Sequence, residues 1–212
     1  MPRRGLAETR LLDTHDVGIP LPKNTRYLLR NPVSHLLTRQ FMATLVGLVQ
    51  QVAPCSVLDV GCGEGMVLRQ LEALGSRFVL HGLDVDMELL EVGKTIAPAA
   101  RHLQGSIYHL PFPRQSYDLV VCTEVLEHLQ APEEALAELA RVARRYCLLS
   151  VPHEPWWRIA NMLRGKYWDR RGNTPGHINH WSAREFARFV SGRFRVVAVR
   201  RPFPWTFVLG ER

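Results

Sequence analysis

The stretch Val57-Leu58-Asp59-Val60-Gly61-Cys62-Gly63-Glu64-Gly65 decides the fold. Its first half is a short β-branched run of the kind that forms a buried strand, and it stops at three glycines. In an open parallel sheet, ligands bind beyond the carboxyl ends of the strands, where the strand order reverses. Glycines there let the backbone approach a ligand with no side chain in the way. The spacing is GxGxG, with Met66 where a dinucleotide fingerprint needs its third glycine, and Glu64 puts negative charge where a pyrophosphate would pass. The loop therefore favours a nucleoside without phosphates over a nicotinamide cofactor. Asp59, just before it, offers a carboxylate to a cationic group such as an α-amino group.

Outward from this loop the chain alternates strand and helix. Upstream, Phe41, Leu45, Leu48, Val49 and Val52 recur at helical spacing, predicting a helix over Thr38–Val52 that Pro54 ends. Downstream, Met66–Leu74 reads as a helix closed by Gly75, Arg77–Leu83 as a strand, and Asp86–Ile96 as a helix stopped by Pro98. A weak strand near Arg101–Gln104 precedes a clear one over Tyr117–Cys122. Ala131-Pro132-Glu133-Glu134 opens a helix running to about Arg144, and Tyr146–Val151 is a fifth buried strand. Near-continuous apolar strands with short links to helices mean a parallel sheet covered on both faces. After a Trp- and Arg-rich stretch at 152–181, a helix is expected over Ala183–Val190 and strands over Phe194–Val199 and Trp205–Leu209. Arg200–Pro204 is too short for a parallel crossover, so the last two strands must run antiparallel.

Gly82-Leu83-Asp84-Val85-Asp86 ends the second strand about two dozen residues past the first glycine. An acid at that place can accept both hydroxyls of a ribose. Alone, such an Asp is as good a helix cap; the glycine loop at this distance favours the ribose.

At 212 residues, the chain suits one α/β domain with some decoration. We divide it into an N-terminal arm and lid over 1–37 and a main domain over 38–212, with the insertion at 152–181. Its longest apolar stretch, Phe41–Val49, is too short to span a bilayer, and no apolar segment follows Met1-Pro2-Arg3-Arg4, so a secretory signal is not expected. The four cysteines form no CxxC pair, which fits a reducing cytoplasm and speaks against a zinc or disulfide framework. The net charge of +7 is uneven: residues 41–151 hold eight Lys/Arg against 13 Asp/Glu, so the basic charge sits in the N-terminal arm and the C-terminal third. A basic rim on an acidic domain fits an anionic substrate or a membrane surface at least as well as nucleic acid.

Taken together, these blocks resemble the class I S-adenosylmethionine-dependent methyltransferases over roughly residues 24–209. Val57–Gly65 is similar to the family's first motif and Asp84 to its ribose-binding acid. Leu110-Pro111-Phe112 with Ser116-Tyr117-Asp118-Leu119-Val120 resembles its loop and fourth strand, and Glu124-Val125-Leu126-Glu127-His128-Leu129 the segment that closes over the cofactor. The resemblance implies a Rossmann-like, mostly parallel sheet of seven strands with an antiparallel last strand, helices on both faces and S-adenosylmethionine as cofactor. It implies that Gly61 and Gly63 line the methionine part, Asp59 sits near the amino group and Asp84, with Val85 beside it, holds the ribose. Ser106 and Ile107 would flank the adenine, although many relatives carry Asp where Ser106 stands. Thr123 would close the pocket beside the sulfonium. Tyr27–Leu37, with Asn31-Pro32, resembles the lid of quinone-biosynthesis O-methyltransferases and adds Tyr27 to the cofactor contacts. Where those enzymes often carry Arg for the cofactor carboxylate, this chain has Ser34, leaving Arg26 or Arg30.

Methyl transfer needs a base only if the acceptor holds a proton at working pH. His128 is the first candidate, titratable near neutrality and close in sequence to the expected pocket; the alternative is a capping or packing histidine. His177 and His180, in Gly176-His177-Ile178-Asn179-His180-Trp181, come second, as bases or substrate-side polar contacts. HxxH without a carboxylate nearby in sequence leads us to expect no metal. Residues 152–181 hold Trp156, Trp157, Trp168 and Trp181 interleaved with Arg158, Arg164, Lys166, Arg170 and Arg171. That pattern fits a cap over the acceptor, an interfacial helix over 156–168 at a membrane, RNA stacking, or plain core packing, the functional readings ranking in that order. The expectation is methyl transfer to a small or lipid-like acceptor, at oxygen, in the cytoplasm or peripherally at a membrane. RNA or protein methylation and a non-catalytic cofactor-binding module remain alternatives. Cys122-Thr123-Glu124-Val125, where RNA modifiers often carry an NPPY-type or cysteine nucleophile motif, speaks against nucleic acid.

Overall fold

The computed structural model describes residues 32–75, 78–163, 168 and 171–212; Tyr27, Arg26, Arg30 and the rest of the expected lid up to Asn31 lie outside the described residues. In chain order the elements are α1 (Pro32–Val52), β1 (Ser56–Val60), α2 (Met66–Glu72), β2 (Val79–Asp84), α3 (Met87–Ile96), β3 (Arg101–Gln104) and β4 (Tyr117–Thr123). A 3-10 turn over Leu126–His128 leads to α4 (Pro132–Val142), β5 (Ala143–Pro152), α5 (Trp156–Leu163), α6 (Ala183–Ser191), β6 (Arg195–Arg200) and β7 (Trp205–Glu211).

The strands form one sheet of seven in the order β3-β2-β1-β4-β5-β7-β6. β1 to β5 run parallel, and β7 is antiparallel to both β5 and β6, as the short 200–204 link demands. Alternate residues of each strand feed opposite faces. Leu58, Val60, Val120 and Cys122 pack with Leu136 and Leu139 of α4 and Phe186 of α6. Val57, Leu119 and Val121 pack with Leu45 and Val49 of α1, Leu68 and Leu71 of α2 and Leu90 of α3. The strand order reverses between β1 and β4, so a crevice opens beyond their carboxyl ends.

Helix starts follow local chemistry. Asp86 caps α3, accepting from the amides of Glu88 and Leu89, and Ser182 with Glu185 forms a capping box on α6. Pro132 opens α4 with Glu133 and Glu134 in the first turn. Two boundaries depart from expectation. α1 starts six residues before Thr38, because its first turn buries Ser34 and exposes Val33 and Leu36, inverting the polarity that periodicity relies on. α4 passes into β5 with no loop, so the exposed Arg144 and Arg145 belong to the strand rather than to the helix end and a link. The insertion forms a helix only over Trp156–Leu163; residues 164–167 of the expected 156–168 helix lie outside the described residues.

Candidate active site

The carboxyl ends of β1 and β2 build one wall of the crevice. Gly61 turns the chain with φ +74° and donates to the Leu83 carbonyl at 2.7 Å. A Cβ at Gly61 would stand 2.3 Å from a Val125 methyl, whereas one at Gly63 would meet nothing within 4 Å. The first glycine is thus required by packing, and the second leaves an open cradle over the loop. Asp84 fastens that cradle: Oδ2 accepts from the Gly63 amide at 2.8 Å and Oδ1 from the Asp86 amide at 3.0 Å. Val85 and Met87 lie exposed beside it, and Ile107 is buried across the loop after β3. The Ser106 hydroxyl is turned inward locally, accepting from the Tyr108 amide at 3.2 Å.

Asp59 is 1% exposed, and among the described residues neither of its carboxylate oxygens has a hydrogen-bond partner. Burial first, and the nearby Asp84 carboxylate second, push its pKa up to about 7. A buried, unpartnered carboxylate is costly, so this group is made for a cationic hydrogen-bond donor. The open cradle, the orphaned Asp59 oxygens and the exposed Val85 fit an aminoacyl nucleoside with a positive amino end.

The opposite wall comes from the end of β4 and from the insertion. After Thr123, Glu124 takes a left-handed conformation (φ +58°), uncommon for a residue with a side chain. Its carboxylate accepts from Ser150 Oγ at 3.0 Å and from Trp205 Nε1 at 2.8 Å. Burial raises its pKa to about 8 despite those two bonds. Glu127 is 1% exposed, and among the described residues its carboxylate has no hydrogen-bond partner beyond its own backbone amide; its burial and the nearby Glu124 hold it well above the usual carboxylate range. His128 follows with a partly exposed ring, Nδ1 lying 3.0 Å from the Gly176 carbonyl and Nε2 4.0 Å from Glu127 Oε1. Because a carbonyl only accepts, Nδ1 carries the proton of the neutral ring, and we assign the lone pair to Nε2 on that ground.

His177 meets the His128 ring edge-on, with centroids 4.8 Å apart, and stacks on Trp157 at 6.0 Å. Burial, with His128 and His180 adding to it, drives its pKa down to about 4. The backbone brings it there. The amides of Ile178 and Asn179 both donate to the Glu127 carbonyl, at 2.9 and 3.0 Å, and the Asn179 amide group donates to the carbonyls of Leu126 and Leu129. His180 turns away, its Nδ1 3.5 Å from the buried Glu154. Ligand atoms of Glu127, His128 and His177 all lie within 4.8 Å of one another, a set that can hold a cation.

Among the expected site residues, Asp59, Gly61, Gly63, Asp84, Val85, Ser106, Ile107 and Thr123 thus stand at the carboxyl ends of β1 to β4. His128 and His177 come together and His180 does not join them. Sequence reasoning missed Glu124, Glu127 and Trp205, whereas Trp157 entered it as one of the tryptophans of the expected cap. The two acids and the histidine within Glu124–His128 were the available signal for the acids; nothing in sequence announces Trp205, 81 residues from the carboxylate it holds.

Residues 58–150 match the family model described as "Methyltransferase domain". The chain is 34% identical over 85 residues to the ubiquinone biosynthesis O-methyltransferase of Shewanella sp. (strain ANA-3), covering 38% of this chain and 35% of that protein. It is 29% identical over 161 residues to the uncharacterized methyltransferase YcgJ of Bacillus subtilis (strain 168), covering 69% of this chain and 60% of that protein. The chain therefore spans about a third to three-fifths of the curated relatives it matches. Among solved structures, magnesium protoporphyrin IX methyltransferase from Synechocystis PCC 6803 with bound SAH aligns with TM-score 0.68 at 17% identity, covering 90% of this chain and 95% of that one.

Proposed function

We propose that the chain is a class I S-adenosylmethionine-dependent methyltransferase that moves the methyl group of S-adenosylmethionine to an oxygen of a small or lipophilic acceptor; the methyltransferase-domain match over residues 58–150 supports this reading. The observation that carries this reading is Asp59, a buried carboxylate with no partner of its own beneath an open glycine cradle. When bound, the cofactor supplies an electrophilic methyl group on a sulfonium. Asp59 would accept from its amino group, Asp84 from its ribose hydroxyls, and Val85 and Ile107 would flank its base. His128 Nε2 holds the free lone pair and takes the acceptor's proton, while Trp157 and Trp205 keep water from the acceptor side. Relatives named as O-methyltransferases support oxygen as the acceptor atom.

Peripheral membrane contact belongs to the same reading. α5 carries no acid and exposes Trp156 (52%) and Ile159 (40%). The 201–204 turn, tied to it through the His153 amide and the Pro204 carbonyl, exposes Phe203 (48%) beside Arg200 and Arg201. Exposed aromatics among cations suit an anionic headgroup layer. No helix among the described residues is long and apolar enough to cross a membrane.

Calorimetric titration with S-adenosylmethionine, its demethylated product and NAD tests the cofactor assignment. Micromolar binding of the two sulfur compounds and none of NAD is expected; the reverse would defeat it. Flotation with phosphatidylcholine vesicles, with and without phosphatidylglycerol, tests the membrane contact, which is lost as a proposal if the protein ignores the anionic lipid.

A further inference from the structure

We infer that Glu127, His128 and His177 form a binding site for one divalent first-row transition ion, with coordination positions left open for an acceptor. Two imidazoles and one carboxylate are ligands suited to the Mn2+ to Zn2+ row, whereas Mg2+ and Ca2+ prefer oxygen alone. Three protein ligands with further positions open is the pattern of catalytic rather than structural metal sites.

The geometry supports the site at each ligand. The Glu127 carboxylate is buried, and among the described residues neither oxygen has a hydrogen-bond partner beyond Glu127's own backbone amide. Among the described residues no Lys or Arg forms an ion pair with it; its one such contact is His128 Nε2 at 4.0 Å. A buried acid with no cation and no donor but its own backbone amide is what a metal ligand looks like before the metal arrives. His128 is aimed by the Gly176 carbonyl at Nδ1, the outer bond that orients ligating imidazoles and leaves Nε2 for the ion. His177 is held against Trp157 and by the backbone clamp on Glu127, so the third ligand comes from a segment about fifty residues away. All three ligand atoms fall within 4.8 Å. An ion about 2.1 Å from each would hold them roughly 3–4 Å apart, which small side-chain rotations achieve. The His128 side chain is 44% exposed, so one ligand of the site is reachable from solvent.

This site stands without the methyl-transfer reading, but its use in catalysis rests on it. With an ion bound, His128 Nε2 is a ligand and no longer a base. Acceptors whose oxygen can enter the coordination sphere then become the preferred class.

The test is titration of the metal-stripped full chain with Mn2+, reading the free ion by electron paramagnetic resonance; Mn2+ binds thiols poorly, so the cysteines do not compete. One ion per chain is expected, with quenching of tryptophan fluorescence from Trp157. Glu127→Gln and His177→Ala should each weaken uptake on the order of tenfold or more, while His109→Ala, on an exposed residue, leaves it unchanged. Glu127→Gln keeps the side-chain shape, and circular dichroism melts establish that each variant is folded. No uptake at millimolar Mn2+, or uptake that Glu127→Gln leaves intact, overturns the site. Calorimetry with S-adenosylhomocysteine on the same samples separates the two readings. Cofactor binding without Mn2+ uptake removes only the metal site, and uptake without cofactor binding removes only the methyltransferase assignment.

Discussion

Asp59→Asn in the cofactor-free protein removes a buried charge while keeping the side-chain shape, and its effect should depend on pH. The carboxyl has its pKa raised from 3.8 to about 7 in the folded chain. Between those values the folded protein keeps a proton that the unfolded chain has lost, so stability falls as pH rises through that window. The cost is about 2 kcal/mol at pH 5 and about 4 kcal/mol at pH 8, a loss of roughly 2–3 kcal/mol across the interval. For a domain of this size that corresponds to a melting temperature lower by about 5–10 °C at pH 8 than at pH 5. Other groups titrate in the same range: Glu124 acts in the same direction, and His177, with its pKa lowered, in the opposite one. The quantity to measure is therefore the difference between wild type and Asp59→Asn at each pH, which cancels them. Thermal melts should show the variant gaining on wild type by several degrees between pH 5 and pH 8. A saturating ligand with a positive amino group should abolish that gain by supplying the missing partner. If the two proteins keep a constant separation in melting temperature across this range, Asp59 is not an uncompensated buried charge and the cofactor-end argument fails.

Asp84→Ala should weaken cofactor binding by about 1–3 kcal/mol, since it also frees the Gly63 amide; calorimetry showing no change would remove the ribose assignment. Gly61→Ala should destabilise the fold by roughly 1–3 kcal/mol, because the added methyl meets Val125 at 2.3 Å and φ is +74°. Adding Val125→Ala should recover part of that loss in denaturant unfolding, leaving the dihedral strain. His128→Ala should lower the methylation rate about a hundredfold or more, and a loss below about threefold would reduce the residue to a packing role.

The parts of the molecule legible in sequence are those whose cause is local. β1 and its glycine loop, Asp84 at the end of β2 and the antiparallel β6–β7 pair follow from residue type and link length alone. The start of α1 was hidden because Ser34 is inside while Val33 and Leu36 face out. The meeting of α4 and β5 was hidden because Val142 and Ala143 are both buried, giving the helix no polar stop. On the acceptor side, the pairing of His177 with His128 rests on two main-chain amides reaching the Glu127 carbonyl, and backbone bonds leave no trace in composition. The same holds for His180: its spacing from His177 suggests a shared task, yet its partner is Glu154, which follows β5.

β7 lies between β5 and β6, pairing Tyr146 through Pro152 on one side and Arg195 through Arg200 on the other. It is also the last of the seven strands to leave the ribosome. From completion of β5 to completion of β7 the chain grows by roughly sixty residues, about 3–12 s at ordinary synthesis rates. Throughout that interval β5 presents an apolar edge, with Leu148 and Leu149 on it, to the cell without its neighbour. β6 emerges first and has no permanent place beside β5. The sheet therefore stays open at β5 until residues 205–211 arrive to close it.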